Sequence, residues 1–266
     1  VDRLLDGCLT AVRMAVAGVE PARFSYARDG LPAELSMNRR GLPYDPSFSV
    51  LDVQRADGSR IGSIAGVGIH PVALGVTCRA VSGDWITSYR SAFERSSGAP
   101  AVLLQGALGD VNPVRDPHAD PDAGGNWETA EILGSEVADC VAGLLGSCAP
   151  LPDSLELLPT RVVPLRAGVT PLTMLTRMAL RTVEVELQEW SLGGVRVVSI
   201  PGEAFHELGR QIERSRGDRA LLAGLASEYH GYLPVPFGKG YEEKMSYGGR
   251  FVERLRQALL EVPSSA

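Results

Sequence analysis

Leu4, Leu5, Cys8, Leu9, Val12, Val16 and Val19 recur at three- and four-residue intervals. That period predicts an amphipathic helix over residues 1–19. A Pro- and Gly-rich loop carrying Asn38-Arg39-Arg40 follows, and the pattern then changes. Residues 48–53 read as a strand, Asp57-Gly58 as a hairpin turn, and 61–69 as a second, β-branched arm that stops at His70-Pro71. Residues 101–105 predict a buried strand. Asn126 is placed to cap a helix running to about residue 145, with Glu128 in its first turn. Further strands are predicted at 154–163, 182–190 and 195–200. Pro201-Gly202-Glu203 ends the last of these and opens a helix to about residue 215. Residues 220–226 form a short apolar run, 227–249 a Gly/Tyr/Pro loop, and 250–260 a closing helix. Strands interleaved with helices and hairpins predict an α/β (α+β mixed) fold, with mixed β-sheets flanked by helices. No repeat or linker divides the chain, so residues 1–266 are expected to form one domain.

Composition narrows the class of function. Of 266 residues 44% are hydrophobic and 22% charged, enough apolar material for a packed core and against intrinsic disorder. The formal charge of −6 argues against a nucleic-acid partner, because phosphate binding needs a basic face. No apolar run approaches the roughly 20 residues that span a bilayer, so no transmembrane segment is expected. The compartment stays open between cytoplasm and secretion. Cys8, Cys78, Cys140 and Cys148 form no C-x-x-C pair, which speaks against a thiolate zinc cluster and favours buried free thiols. The chain opens on an amphipathic segment without an initiator Met, as a processed or partial product would.

Four apolar segments end in polar residues: at His70-Pro71, at Gln105-Gly106 before Asp110, at Pro201-Gly202-Glu203, and at Tyr229-His230-Gly231-Tyr232. Carboxyl ends of strands collect functional groups on a rigid base. If these ends lie together, His70, Glu203 and one of Tyr229 or Tyr232 converge, and that donor set suits a borderline cation such as zinc. Each residue alone has a plainer explanation: a structural histidine, a first-turn helix carboxylate, packing tyrosines. His206 stands three residues beyond Glu203 on the same predicted helix, and His230 is placed to orient a ligand. His118 and Asp116, Asp120 and Asp122 sit in an acidic loop whose spacing does not match a calcium-binding loop. No nucleophile elbow, H-E-x-x-H, phosphate loop or dinucleotide fingerprint is present.

Six motifs in order resemble the neutral/alkaline (non-lysosomal) ceramidase family: Asn38-Arg39-Arg40, Ile69-His70-Pro71, Ser82-Gly83-Asp84, Gln105 to Pro113 (QGALGDVNP), Pro201-Gly202-Glu203, and Tyr229 to Pro234 (YHGYLP) with Gly240-Tyr241-Glu242. The resemblance implies a zinc-dependent amidase that cleaves an N-acyl bond with metal-activated water. It puts metal ligands at His70, Glu203 and Tyr232, a second active-site tyrosine at Tyr241, and a substrate-side arginine at Arg39. The family's other metal histidine lies upstream of the first helix and is not in this chain. The resemblance therefore implies a second polypeptide, formed by cleavage of a longer precursor, or an upstream segment that supplies it. The resemblance also implies a C-terminal immunoglobulin-like domain, which residues 1–266 are not expected to contain.

Where the family carries an active-site serine this chain has Asn112, which cannot ionise but can donate to an oxyanion. Tyr241, Asn112 and Arg39 are thus the candidate catalytic donors, and Asp84 and Asp110 are candidates to orient ligands. The substrate implied is an N-acylated small molecule or lipid-like amide. The rival reading is a non-catalytic subunit or acyl-binding scaffold of the same fold.

Overall fold

The computed structural model describes residues 2–75, 78–114 and 126–263. The chain runs through α1 (Asp2–Ala17), β1 (Arg23–Gly30), β2 (Ser36–Asn38), β3 (Ser47–Gln54), β4 (Arg60–Val67), α2 (Trp85–Ser97), β5 (Ala101–Gln105), β6 (Val111–Pro113) and α3 (Trp127–Leu144). It continues through β7 (Ala149–Pro150), β8 (Leu155–Leu157), β9 (Arg161–Arg166), α4 (Pro171–Leu175), β10 (Thr182–Leu187), β11 (Glu189–Leu192) and β12 (Val195–Ile200). The last elements are β13 (Glu203–Ala204), α5 (His206–Ser215), β14 (Ala220–Gly224), β15 (Tyr232–Leu233), α6 (Tyr241–Lys244) and α7 (Gly249–Leu260).

Two mixed sheets form the middle of the molecule. One has the order β5-β4-β3-β1-β7, parallel only between β4 and β5; the other has the order β14-β12-β11-β8, parallel only between β12 and β14. The alternation of side chains along each strand explains how they stack. In β12, Val195 and Val197 face the five-stranded sheet and meet Tyr26 and Leu51, with Leu221 of β14 beside them. Val198 and Ile200 point the other way, into a core closed by α5, α7 and the β9–β10 hairpin. The far face of the five-stranded sheet presents Phe48, Val50, Ala65 and Val67 to α2 and α3. The layers are helix, sheet, sheet, helix. β12 is a central strand almost wholly buried and reads as a nearly continuous apolar run, which is why residues 195–200 were legible. β5 forms at residues 101–105 as predicted, but as an edge strand with Val102 48% exposed and not as a buried one.

The fold class is the mixed α/β one that the sequence predicts, with several local differences. The segments predicted as single strands at 154–163 and 182–190 each break in two, because the chain leaves the four-stranded sheet to form the β9–β10 hairpin. β1 forms inside the segment read as a loop. Its polar Arg28 hides the strand period and is held by Glu213 at 2.9 Å and Asp218 at 3.0 Å. α2 went unanticipated, although Asp84 caps it. α1 forms, but none of its residues is buried, and Leu4 and Val16 are 72% and 69% exposed. All four cysteines are free, yet Cys8 is exposed and the other three are half-buried, so the expectation of buried thiols fails. His118, Asp116, Asp120 and Asp122 lie outside the described residues.

Candidate functional site

Glu203 owes its place to a two-residue strand. β13 and β15 pair in parallel with Glu203 across from Tyr232, and Glu203 N–H donates to the Gly231 carbonyl at 2.9 Å. Gly231 sits at φ 75°, where a Cβ would also collide with the Met245 carbonyl, so the close approach requires glycine. Glu203 is therefore a strand residue and not, as predicted, the start of a helix; α5 begins three residues later.

His70 follows the end of β4 and is held by its backbone. Its N–H donates to Val111 O at 3.0 Å, and its carbonyl accepts from the Trp85 indole at 3.2 Å. The next turn is pinned to α2 by Asp84, which accepts from the N–H groups of Ala73, Leu74 and Trp85.

These supports bring the two side chains together. His70 Nε2 and Glu203 Oε2 are 2.9 Å apart, and the side chains are 14% and 12% exposed. The Tyr229 hydroxyl donates to Glu203 Oε1 at 2.7 Å. Burial pushes the Glu203 carboxyl up, but hydrogen bonding from His70, Tyr229 and Tyr232 outweighs it and holds the group below the ordinary glutamate range. Burial and the same carboxylate push the Tyr229 and Tyr232 phenols up, so both stay protonated. The choice between Tyr229 and Tyr232 does not arise, since both face Glu203.

Arg39 and Tyr241 gather around Tyr232. The Arg39 guanidinium lies 5.6 Å from the Tyr232 ring centre, and the Tyr232 and Tyr241 rings meet edge-on at 6.1 Å. Arg39 pairs with Glu242 at 2.8 Å and donates to Gly109 O at 2.7 Å. Its Nε is buried without a partner among the described residues. Arg40 pairs with Glu243 at 2.7 Å, so two Arg–Glu pairs tie the end of β2 to α6. Glu242 and Glu243 were not singled out as a pair of acids; the complementary Arg-Arg and Glu-Glu doublets are the signal in the sequence. Asn112 stands half-buried in β6 opposite Met37, next to the Val111 carbonyl that holds His70.

Other candidates go elsewhere. His206 accepts from Asp45 N–H and packs against Tyr44, and with Glu203 in β13 the two do not share the helix on which the sequence placed both. His230 is buried against Tyr247 and Phe251 and is engaged by Glu228 at 3.0 Å. Asp110 accepts from the Asn38 amide and from His206 N–H at 2.7 Å each. Asp84 and Asp110 thus brace backbone and neighbouring side chains.

One imidazole, one carboxylate and two phenols suit a borderline cation in chemistry. His70 Nδ1 is buried with no partner among the described residues, so the imidazole's bonding is incomplete. No group of three His, Cys, Asp or Glu side chains with metal-holding placement occurs among the described residues, so a cation here would depend on the tyrosines.

No protein-family model and no curated protein sequence matches the chain. Solved structures do. The crystal structure of neutral ceramidase from Pseudomonas aeruginosa superposes with a TM-score of 0.76 at 18% identity, covering 97% of this chain and 54% of that one. A ceramidase complexed with C2 superposes with a TM-score of 0.70 at 16% identity, covering 93% of this chain and 54% of that one. The chain thus spans about half the length of the structures it matches, and it has a neutral-ceramidase-like fold.

Proposed function

We propose that this chain is a single ceramidase-like catalytic domain of a zinc-dependent amidohydrolase that cleaves an N-acyl bond with water. The observation that carries this reading is the His70–Glu203 pair with Tyr229 and Tyr232 on the same carboxylate, within a neutral-ceramidase-like fold. His70, Glu203 and Tyr232 are the residues that would hold zinc, with a further histidine supplied by a second polypeptide or an upstream segment. Zinc held there would act as a Lewis acid and would lower the pKa of bound water to near neutrality. Glu203 enters the reaction ionised, because its three hydrogen-bonding neighbours favour the charged form. Tyr241, Asn112 and the unspent Arg39 Nε are the donors proposed for the developing oxyanion, each worth about 3 kcal/mol if aimed correctly. The substrate is an N-acylated small molecule or lipid-like amide.

The test measures zinc content and hydrolysis of a fluorogenic N-acyl amide by the complete protein as its host makes it. His70→Ala and Glu203→Ala are each expected to lose both while keeping the wild-type circular dichroism spectrum. Wild-type zinc and turnover in either variant reject the site. The second reading is a non-catalytic acyl-binding scaffold. It rests on the lack of a third His, Cys, Asp or Glu beside His70 and Glu203 among the described residues. A zinc-free complex that binds an acyl amide without turning it over favours that reading.

A further inference from the structure

The chain has only two lysines, Lys239 and Lys244, and both border one open trough of about 470 Å³ together with Arg250. The trough is walled by Val169, Pro171 and Phe237; Val169 is 61% and Phe237 42% exposed. Just beyond Pro171, α4 presents Met174 and Leu175, 64% and 80% exposed. A neighbouring groove shares Gly168 and Arg250 with the trough and adds Arg166 and Arg254.

Charge here opposes that of the whole molecule. The chain carries −6, yet Arg166, Lys239, Lys244, Arg250 and Arg254 are all exposed, and among the described residues none has a carboxylate within 4 Å. The carboxylates that line the two grooves are already spent: Glu243 on Arg40 and Glu261 on Arg161. Unpaired cations beside protruding apolar side chains form a surface complementary to anionic headgroups over an acyl layer. The surface also adjoins the candidate site. Gly240 and Lys244 border the trough, and Tyr241 between them packs its ring on Tyr232.

We propose that this face docks on the interfacial layer of an anionic phospholipid bilayer. Lys239, Lys244 and Arg250 meet the headgroups, and Phe237, Val169 and Leu175 enter the acyl boundary. The inference stands apart from the hydrolytic reading, because vesicle binding is measured without turnover.

The experiment is cosedimentation of the complete protein with phosphatidylcholine vesicles, with and without phosphatidylglycerol, at low and high salt. Binding is expected only to the phosphatidylglycerol vesicles and is expected to fall as salt rises. The triple variant K239E/K244E/R250E should lose about 100-fold in partition coefficient. R95E, which alters an exposed arginine on α2, should bind as wild type does. Circular dichroism melts should be the same for all three proteins, since the altered side chains are exposed. Wild-type protein that stays in the supernatant overturns the proposal, as does a triple variant that binds equally well. Displacement from vesicles by inorganic phosphate at constant ionic strength would reveal an anion pocket and overturn it too.

Discussion

Asp84 shows how one side chain can set the position of another. It sits at φ 54°, ψ −143°, outside the left-handed helical region and strained for a residue with a side chain, so its surroundings must hold it there. Its carboxylate accepts three backbone N–H groups at 2.8–2.9 Å, two from the turn after His70 and one from the start of α2. Asp84→Ala leaves those donors without their acceptor and is expected to cost about 3 kcal/mol, read as a lower urea midpoint with an unchanged slope. Glu243 gives a pH-dependent counterpart. Burial pushes its carboxyl up, but the bond from Arg40 and the N–H of Gly238 bring it below the ordinary value of 4.5. A folded-state value below the unfolded one stabilises fully above about pH 4.5, and that contribution is lost as pH falls through the folded value. Glu243→Gln should therefore lower the melting temperature at neutral pH, by an amount equivalent to about 2 kcal/mol. It should also flatten the decline in acid; an unchanged acid limb would remove the pair from the account.

At the scale of elements, α1 and α3 make opposite cases. The apolar period of α1 is enough to form a helix, but none of its residues is buried, and the connection to β1 is tied down by the Glu20–Arg55 pair at 2.7 Å. Deleting residues 2–17 should shift the unfolding free energy by less than about 0.5 kcal/mol, since exposed positions contribute little. α3 packs tightly on α2. A Cβ at Gly134 would run into the Trp85 carbonyl and the Tyr89 amide. Gly134→Ala should therefore destabilise by about 1–3 kcal/mol through overpacking, even though alanine is the better helix former. A variant at least as stable as wild type would show that the two helices can part without cost.

The whole molecule depends on the face between its two sheets. Leu221 lies there, 1% exposed, against Gly66 of the five-stranded sheet. Leu221→Ala opens a cavity that both sheets share and should cost about 2–5 kcal/mol. Loss measured by circular dichroism and by tryptophan fluorescence should still coincide, because each sheet buries one face on the other. Two separated transitions would mean that the halves melt independently. Leu157→Ala, at a side chain 75% exposed on the edge strand β8, should do almost nothing.

Period and punctuation along the chain were enough to determine the strands β5 and β12, the Asn126 cap of α3, the closing helix, and the residue types able to do chemistry at segment ends. These are local properties, set by which neighbours must face a core or leave a backbone donor unpaired. Only the tertiary structure decided which ends meet. His70 and Glu203 are 133 positions apart, and their contact depends on the register of β13 against β15 and on Asp84 holding the turn after His70. The same long-range packing turned His206 to Asp45 and Tyr44, split two predicted strands, gave Glu203 both tyrosines, and left the apolar stripe of α1 uncovered. A sequence carries the period of each segment but not its partner, because register is settled by side chains that meet only once distant segments have packed.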